Sequence, residues 1–314
     1  SSLTEDICSG DTFNYTIQAN FASGVNYSWS RPEVTGINGA ARNGNGNTIT
    51  EQLVNSTPEE IVVPYTLVLS SQGCTTTSTL NLTVYPTPSL NSNLFFPDVC
   101  NGEVFNYIPT SATENTAFNW VLGNLPVGVT HTGASTGTGQ IQGTFEHDYA
   151  NFVEVSYSVI STSNGCQGSS DDLNLRILPK LYLTNSATQT ICSGENINFT
   201  PEVNPYYTDA IFSWSRQAVN GISNIANAGI GPINEILENT TLVSQTVEYN
   251  YSISSDANDT CVVQGSFLVI VSPRPVLTPG AENPSAICSG EDVNHTLESN
   301  IPGTTFNWSR VLPN

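Results

Sequence analysis

Seven cysteines are the residues of this chain whose type and spacing most directly suggest chemistry, and that chemistry is disulfide formation. Four of them open near-copies of one phrase, Ile/Val-Cys-Ser/Asn-Gly-Asp/Glu, at intervals of 92, 92 and 96 residues. In the first three copies a closing cysteine follows after 66 to 69 residues. The opening cysteines are Cys8, Cys100, Cys192 and Cys288, and the closing ones are Cys74, Cys166 and Cys261. Such regular usage predicts an oxidising, extracellular compartment.

The simplest pairing joins the two cysteines of each unit, as Cys8–Cys74, Cys100–Cys166 and Cys192–Cys261. In the chain-entropy account, closing a loop of this length stabilises a small domain by about 4 kcal/mol. The partner of Cys288 is then expected beyond the segment, in the rest of an incomplete fourth unit. Metal binding is disfavoured, because the chain has neither a CxxC pair nor a cysteine–histidine cluster.

Acid–base catalysis has one weak candidate, His147 with Glu146 and Asp148 beside it. The other histidines, His131 and His295, occupy unrelated positions in their units. These residues are more typical of polar positions in loops and at strand edges. GxSxG, HExxH and phosphate-loop motifs are absent, and no carboxylate pair recurs from unit to unit. The sequence therefore predicts no enzyme, no catalytic residue and no cofactor-binding residue.

An acidic residue follows the glycine of every opening phrase, at Asp11, Glu103, Glu195 and Glu291. Capping of a turn is the favoured interpretation of this position. A calcium site between domains is the alternative, but calcium needs six or more oxygen ligands and no DxDxD-type loop is present.

Charge and hydropathy exclude other classes of function. Among 314 residues, seven are Lys or Arg and 27 are Asp or Glu, which gives a formal net charge of −20. Such a surface repels phosphate backbones, so we expect no nucleic-acid partner. No apolar run reaches the roughly 18 residues of a membrane span, so we expect no membrane insertion in this segment.

A tryptophan follows each opening cysteine by 20 to 22 residues, within an alternating pattern typical of a β-strand. An aromatic residue stands two positions earlier and shares its face of the strand, which predicts that both are buried. The predicted core tryptophans are Trp29, Trp120, Trp214 and Trp308. An arginine follows two residues later at Arg31, Arg216 and Arg310, where we expect it to stack on a ring or pair with a carboxylate.

Self-similarity at this period indicates a tandem array of one module. Proline-containing joints end the units, and we expect them to act as short semi-rigid spacers. Short strands, polar turns, a core tryptophan and paired cysteines predict an all-β fold of immunoglobulin-like β-sandwich domains arranged end to end, with one disulfide per domain. The predicted repeats are 1–86, 87–179, 180–273 and the truncated 274–314.

The combination of motifs resembles the PKD-like repeat of very large surface proteins from gliding bacteria that use type IX secretion. The opening phrase, the Phe/Tyr-x-Trp-Ser-Arg strand, the stretches 219–224 and 233–241 and the Val-x-Pro-x-Pro ending carry the resemblance. The second unit departs most, because Val121-Leu122 replaces Ser-Arg after Trp120. The resemblance implies a non-catalytic stalk in an exported adhesin, which in some members takes part in gliding motility.

We therefore expect a structural segment of a cell-surface filament that extends an adhesive region from the cell. Its expected partners are neighbouring repeats of the same chain and surface polysaccharide or other cell-surface components. Two alternatives remain open at this point. One is a set of carbohydrate-binding modules of a secreted polysaccharide-degrading enzyme, and the other is a calcium-dependent adhesion array.

Overall fold

The structure, a computed structural model, describes residues 3–20, 24–185, 188–258, 260–278 and 286–311. These residues form 21 strands and no helix, so the predicted all-β fold class is confirmed. Within the same ranges there is accordingly no helix long and apolar enough to span a membrane. The chain divides into two compact units, 1–178 and 179–314, which are described separately.

Seven strands of the first repeat form two sheets, with the orders β1-β7-β6-β3-β4 and β2-β5. Alternate residues of these strands point inward, and Phe13, Trp29 and Tyr65 form the centre of the core between the sheets. The strands are β1 (Thr4–Cys8), β2 (Thr12–Thr16), β3 (Asn26–Arg31), β4 (Arg42–Asn45), β5 (Thr48–Gln52), β6 (Ile61–Ser71) and β7 (Cys74–Tyr85).

The second repeat, also in the first unit, has sheets in the orders β10-β12-β8 and β11-β9-β13-β14. Its core contains Phe105, Trp120 and Tyr157. The strands are β8 (Val104–Tyr107), β9 (Ala117–Leu122), β10 (Thr130–Gly133), β11 (Thr136–Thr138), β12 (Ile141–Glu146), β13 (Val153–Ser163) and β14 (Cys166–Ile177).

The second unit contains the third repeat, with sheets in the orders β15-β21-β20-β17-β18 and β16-β19. The strands are β15 (Thr188–Cys192), β16 (Asn196–Phe199), β17 (Ile211–Arg216), β18 (Asn227–Ile230), β19 (Ile233–Ile236), β20 (Gln245–Ser254) and β21 (Val262–Ser272). All strand pairs among the described residues join strands of one predicted repeat. The exact repeat boundaries stay a prediction.

Residues 286–311 contain no strand, and Trp308 is 81% exposed. The expectation that Trp308 is a core residue is therefore wrong. Trp29, Trp120 and Trp214, by contrast, are all buried. The buried rings are covered by the hairpin strands that follow them, as Tyr249 of β20 covers Trp214. The described residues after 286 include no counterpart of those strands.

The first strand of a repeat runs parallel to its last strand. In the first repeat, β1 pairs with the end of β7, with Cys8 opposite Tyr85. The third repeat repeats this register, with Cys192 opposite Ser272. The opening cysteine consequently lies at the end of the repeat from which the chain leaves, whereas the closing cysteine lies at the start of the last strand or next to it, at the opposite end.

The joint between the first two repeats is not a free spacer. Pro86 and Pro88 are both buried. The Ser161 hydroxyl of β13 donates to the Pro88 carbonyl oxygen at 3.0 Å, in a buried hydrogen bond. Further along, Leu90 and Phe96 pack against the core of the second repeat. The joint is therefore held by contacts with the domain that it leads into.

Each buried tryptophan lies against a glycine of the neighbouring edge strand. The cross-strand pairs are Trp29–Gly44, Trp120–Gly137 and Trp214–Gly229. A Cβ added at these glycines would lie 2.6, 2.5 and 2.7 Å from the indole ring. Because the ring occupies the space of a side chain, only glycine fits at this position without displacing the tryptophan.

We therefore expect Gly229→Ala to destabilise the second unit by about 1–3 kcal/mol, because overpacking forces the ring or the edge strand to move. Calorimetric unfolding of the full chain measures the effect. In a Trp214→Phe background, the smaller ring leaves room and the same substitution should cost clearly less. An equal cost in both backgrounds would contradict the contact.

Candidate functional site

Two of the repeated cysteines form a disulfide between the first and the second repeat. Cys8 of the first repeat is bonded to Cys166 of the second, across 158 residues of sequence, with a Cα–Cα distance of 5.5 Å. Cys166 is buried and lies directly after the Asn164–Gly165 turn that joins β13 to β14. Asn164 and Gly165 both have positive φ, as two-residue hairpin turns require.

The predicted pairings within repeats are wrong. Cys8–Cys74 and Cys100–Cys166 are excluded by the Cys8–Cys166 bond, and Cys192–Cys261 by the free thiol of Cys192. The first strand ends where the last strand ends, so a 12-residue strand such as β7 separates the two cysteines of a repeat by roughly 35 Å. A disulfide needs Cα atoms about 4.4–6.8 Å apart.

The remaining cysteines fall into two groups. Cys100 and Cys261 are each disulfide-bonded. Cys74, Cys192 and Cys288 are free and exposed. The free cysteines therefore include the closing cysteine of the first repeat and the opening cysteines of the third and fourth.

A tight turn holds each opening cysteine. In the first repeat, Ser9 N donates to Tyr85 O and Gly10 N to Leu53 O. Gly10 has a φ of +88°, which favours glycine at this position. In the third repeat the Glu195 carboxylate accepts from Cys192 N at 2.8 Å, and Glu291 caps Cys288 N in the same way at 2.9 Å. These two residues have the turn-capping role that the sequence favours.

A buried polar side chain fixes this turn to the end of the last strand. Asn55 donates to Val84 O at 2.9 Å, and its own N–H donates to the Ser9 hydroxyl. Asn239 makes the equivalent contacts in the third repeat. In the second repeat the His147 ring nitrogen lies 3.2 Å from Ile177 O. His147, the acid–base candidate of the sequence, is thus a buried structural residue.

The repeated arginine forms a buried ion pair. Arg31 Nε lies 3.1 Å from Glu51 Oε2, and the two side chains are 4% and 2% exposed. The Tyr65 hydroxyl donates to the same carboxylate at 2.5 Å, and Arg42 adds a second cation at 3.3 Å. Burial, together with the hydrogen bond to Glu51, raises the pKa of Tyr65. With only 4% of its side chain exposed, Arg31 is not accessible to a ligand in solvent.

The third repeat has the same network with one exchange. Arg216 pairs with Glu235 at 2.8 Å, the Tyr249 hydroxyl donates to Glu235 at 2.6 Å, and Asn227 stands in the place of Arg42. Burial opposes ionisation of Glu235, but hydrogen bonds from Arg216, Tyr249 and Asn227 outweigh it and lower its pKa. Hydrogen bonding to this carboxylate raises the pKa of Arg216.

The second repeat replaces the ion pair by a neutral contact. Leu122 takes the arginine position and Gly143 the glutamate position, and the His131 ring fills the space beside Gly143. Nε2 of His131 lies 3.3 Å from the Tyr157 hydroxyl. Burial lowers the pKa of His131 and raises that of Tyr157 to about 12. A neutral imidazole therefore substitutes for the carboxylate as the partner of the core tyrosine.

Together these networks are structural. Within the described ranges, no three His, Cys, Asp or Glu side chains form a group that could hold a metal ion. Sequence reasoning missed Glu51, Glu235 and the glycines that face the tryptophans. These residues could have been found from the recurrence of the same residue type at the same strand position in different repeats. Glu51, for example, lies opposite Phe13, and Glu235 lies opposite Ile197.

Two segments of the chain, residues 5–88 and 189–275, match the PKD-like domain family, and together they make up more than half of the sequence. The chain belongs to the PKD-like domain family. The two matched segments contain the PKD-like repeats that have the Arg–Glu–Tyr network, whereas the second repeat lies outside the match. No curated protein matches the chain.

Several solved structures are similar over most of this PKD-like chain, all at low identity. The I-band fragment I67–I69 from titin is 12% identical, covering 86% of this chain and 96% of that one, with a TM-score of 0.40. Three N-terminal domains of the bacteriophage RB49 outer capsid protein Hoc are 13% identical, covering 85% and 95%, with a TM-score of 0.39. Mouse cadherin-23 EC22–24 is 9% identical, covering 86% and 95%, with a TM-score of 0.32. Scores this low carry no argument about function.

Glu51→Gln should destabilise the first PKD-like repeat by about 3–5 kcal/mol, because it leaves the buried Arg31 charge without its carboxylate. Denaturant unfolding of the full chain measures the loss. Exposed Glu59→Gln is the matched control and should change stability little. Adding Arg31→Leu, the solution that the second repeat uses at Leu122, should restore part of the loss. A Glu51→Gln variant as stable as the Glu59→Gln control would refute this role.

Proposed function

We propose that this chain is a load-bearing segment of the stalk of an exported cell-surface adhesin. Two observations support the proposal. The chain belongs to the PKD-like domain family, and a disulfide joins two successive repeats. The single observation that carries the proposal is the Cys8–Cys166 bond, because a staple between domains serves the continuity of an array rather than the stability of one domain.

The position of this bond suits tension along the chain. Cys8 lies beside Tyr85, where the chain leaves the first repeat, and Cys166 is the first residue of β14, directly after the hairpin turn of the second repeat. The Thr87 hydroxyl, in the joint, donates to Ser9 O at 3.3 Å. The disulfide and the peptide joint therefore form two covalent connections at one junction. Two connections resist bending, twisting and extension better than one.

The compartment and the cell-surface setting belong to the same proposal. Disulfides persist outside the cytoplasm, which indicates an extracellular location. A net charge of −20 keeps an exported array soluble and separates neighbouring filaments. The type IX secretion route and a role in gliding motility rest on the resemblance of the repeated motifs to surface adhesins of gliding bacteria.

Neither alternative function has a recurrent feature in its favour. Sugar-binding aromatic platforms have to be exposed, whereas Trp29, Trp120 and Trp214 are at most 8% exposed, and Trp308, at 81%, is the one exposed member of the four repeated tryptophans. The acidic position of the opening phrase caps turns at Glu195 and Glu291, and this use does not require calcium.

Immunogold electron microscopy of intact cells, with an antibody against this segment, tests the proposal. We expect label at intervals along thin filaments that extend from the outer surface, and no label on cells from which the gene has been deleted. Label confined to soluble, compact particles in the medium would overturn the proposal and favour accessory modules of a secreted enzyme.

A further inference from the structure

We propose that the Cys8–Cys166 bond is one instance of a rule, in which the opening cysteine of each repeat is bonded to the closing cysteine of the next. Under this rule Cys74 is the acceptor for the opening cysteine of a preceding module of the same kind. The inference concerns the covalent order of modules and does not depend on the adhesin proposal.

The bonding state of the other cysteines supports the rule. Cys100 is an opening cysteine and Cys261 a closing one, and both are disulfide-bonded. The free cysteines are those whose partners under the rule are residues that this sequence does not include. Cys74 needs an opening cysteine from the module before, and Cys192 and Cys288 need closing cysteines from later modules. Pairing within repeats would instead give Cys74 and Cys192 partners in this chain.

The β6–β7 hairpin of the first repeat lines a cavity at the place where the β13–β14 hairpin of the second repeat contacts the joint. In the second repeat, Ser161 and Gly168 of the β13–β14 hairpin contact the Pro88 carbonyl group, so the joint from the preceding repeat lies against this hairpin. In the first repeat, the residues at the same sequence distances from the closing cysteine as Ser161 and Gly168 are Leu69 and Thr76. Both line a cavity of about 540 Å³, together with Cys74 itself.

The occupant that fits this cavity is the joint of a preceding module. In the first repeat the backbone N–H of Asn81 donates to Leu3 O. In the second repeat Phe95 forms a β-bridge with Asn174, which occupies the same place in the last strand as Asn81. Leu3 therefore corresponds to Phe95. Pro88 stands seven positions before Phe95, so its counterpart would precede Ser1. A joint that enters along the same line would cover Leu69 and bring its opening cysteine to the exposed Cys74 thiol.

Formation of the bond is an oxidation of two thiols. The Cys74 thiol and the opening cysteine lose two protons and two electrons, and an S–S bond forms. A disulfide oxidant, such as oxidised glutathione, accepts the electrons and becomes two thiols through a mixed-disulfide intermediate. The exporting compartment supplies oxidants of this class.

A chain extended by one repeat tests the rule. Residues 1–92 are duplicated in front of the full chain, so that the opening cysteines keep the 92-residue spacing of the first two repeats, and Glu5→Asp gives the opening-cysteine peptide of the added copy a distinct mass. The protein is refolded in a glutathione redox buffer, and its disulfides are mapped by mass spectrometry of non-reduced peptides. The variants Cys74→Ser and Cys192→Ser, each made in the original copy, are mapped in parallel.

We expect Cys8 of the added copy to be linked to Cys74 of the original repeat, while Cys8 of the original repeat remains linked to Cys166. Cys74→Ser should leave the added opening cysteine as a free thiol, and Cys192→Ser should leave the new bond intact. Recovery of the added copy's opening cysteine as a thiol, or persistence of its bond in the Cys74→Ser variant, in a chain that retains the Cys8–Cys166 bond would overturn the rule.

Discussion

The parallel pairing of the first strand with the last strand is the constraint on which the junctions depend. Because β1 lies beside the end of β7, Cys8 is carried to the end of the repeat where the chain leaves. The closing cysteine lies at the other end of the sheet, beyond the reach of a disulfide within the repeat. A cysteine at each end suits links between domains. The same register brings Ser9 to the strand end, where buried Asn55 fixes the turn in place.

The buried polar networks serve a different purpose from the disulfide. A buried ion pair such as Arg31–Glu51 contributes little net stability, since desolvation of both charges offsets their attraction. The second repeat reaches the same fold with Leu122, Gly143 and a neutral His131, so the ion pair is not required by the architecture. In each of the three repeats a core tyrosine has its hydroxyl within 3.3 Å of a glutamate or histidine side chain. The shared requirement is a partner for that hydroxyl, which an apolar core would leave unsatisfied.

The sequence predicts the all-β fold and the strands around Trp29, Trp120 and Trp214, because period-2 alternation reports them directly, and it gives pairing with a carboxylate as one of two roles for the repeated arginine. It misleads about the disulfides. The cysteines recur in pairs, but sequence spacing does not reveal that the strand leading to Cys8 runs parallel to the last strand. Gly44 and its counterparts also escape prediction, since a glycine that faces an indole ring looks like any turn glycine. Trp308 shows the limit of motif transfer, because burial needs the covering strands as well as the motif.

Single-molecule force spectroscopy tests the central claim that the disulfide carries load between the first two repeats. Handles are attached to the full chain at Glu5 and Gln167, on either side of the bonded cysteines. In the oxidised protein the bond should hold these points together, so that unfolding of the enclosed 158-residue span adds almost no length. In a Cys8→Ser variant the same span should extend by roughly 500 Å. Equal extension of the two proteins would contradict the account.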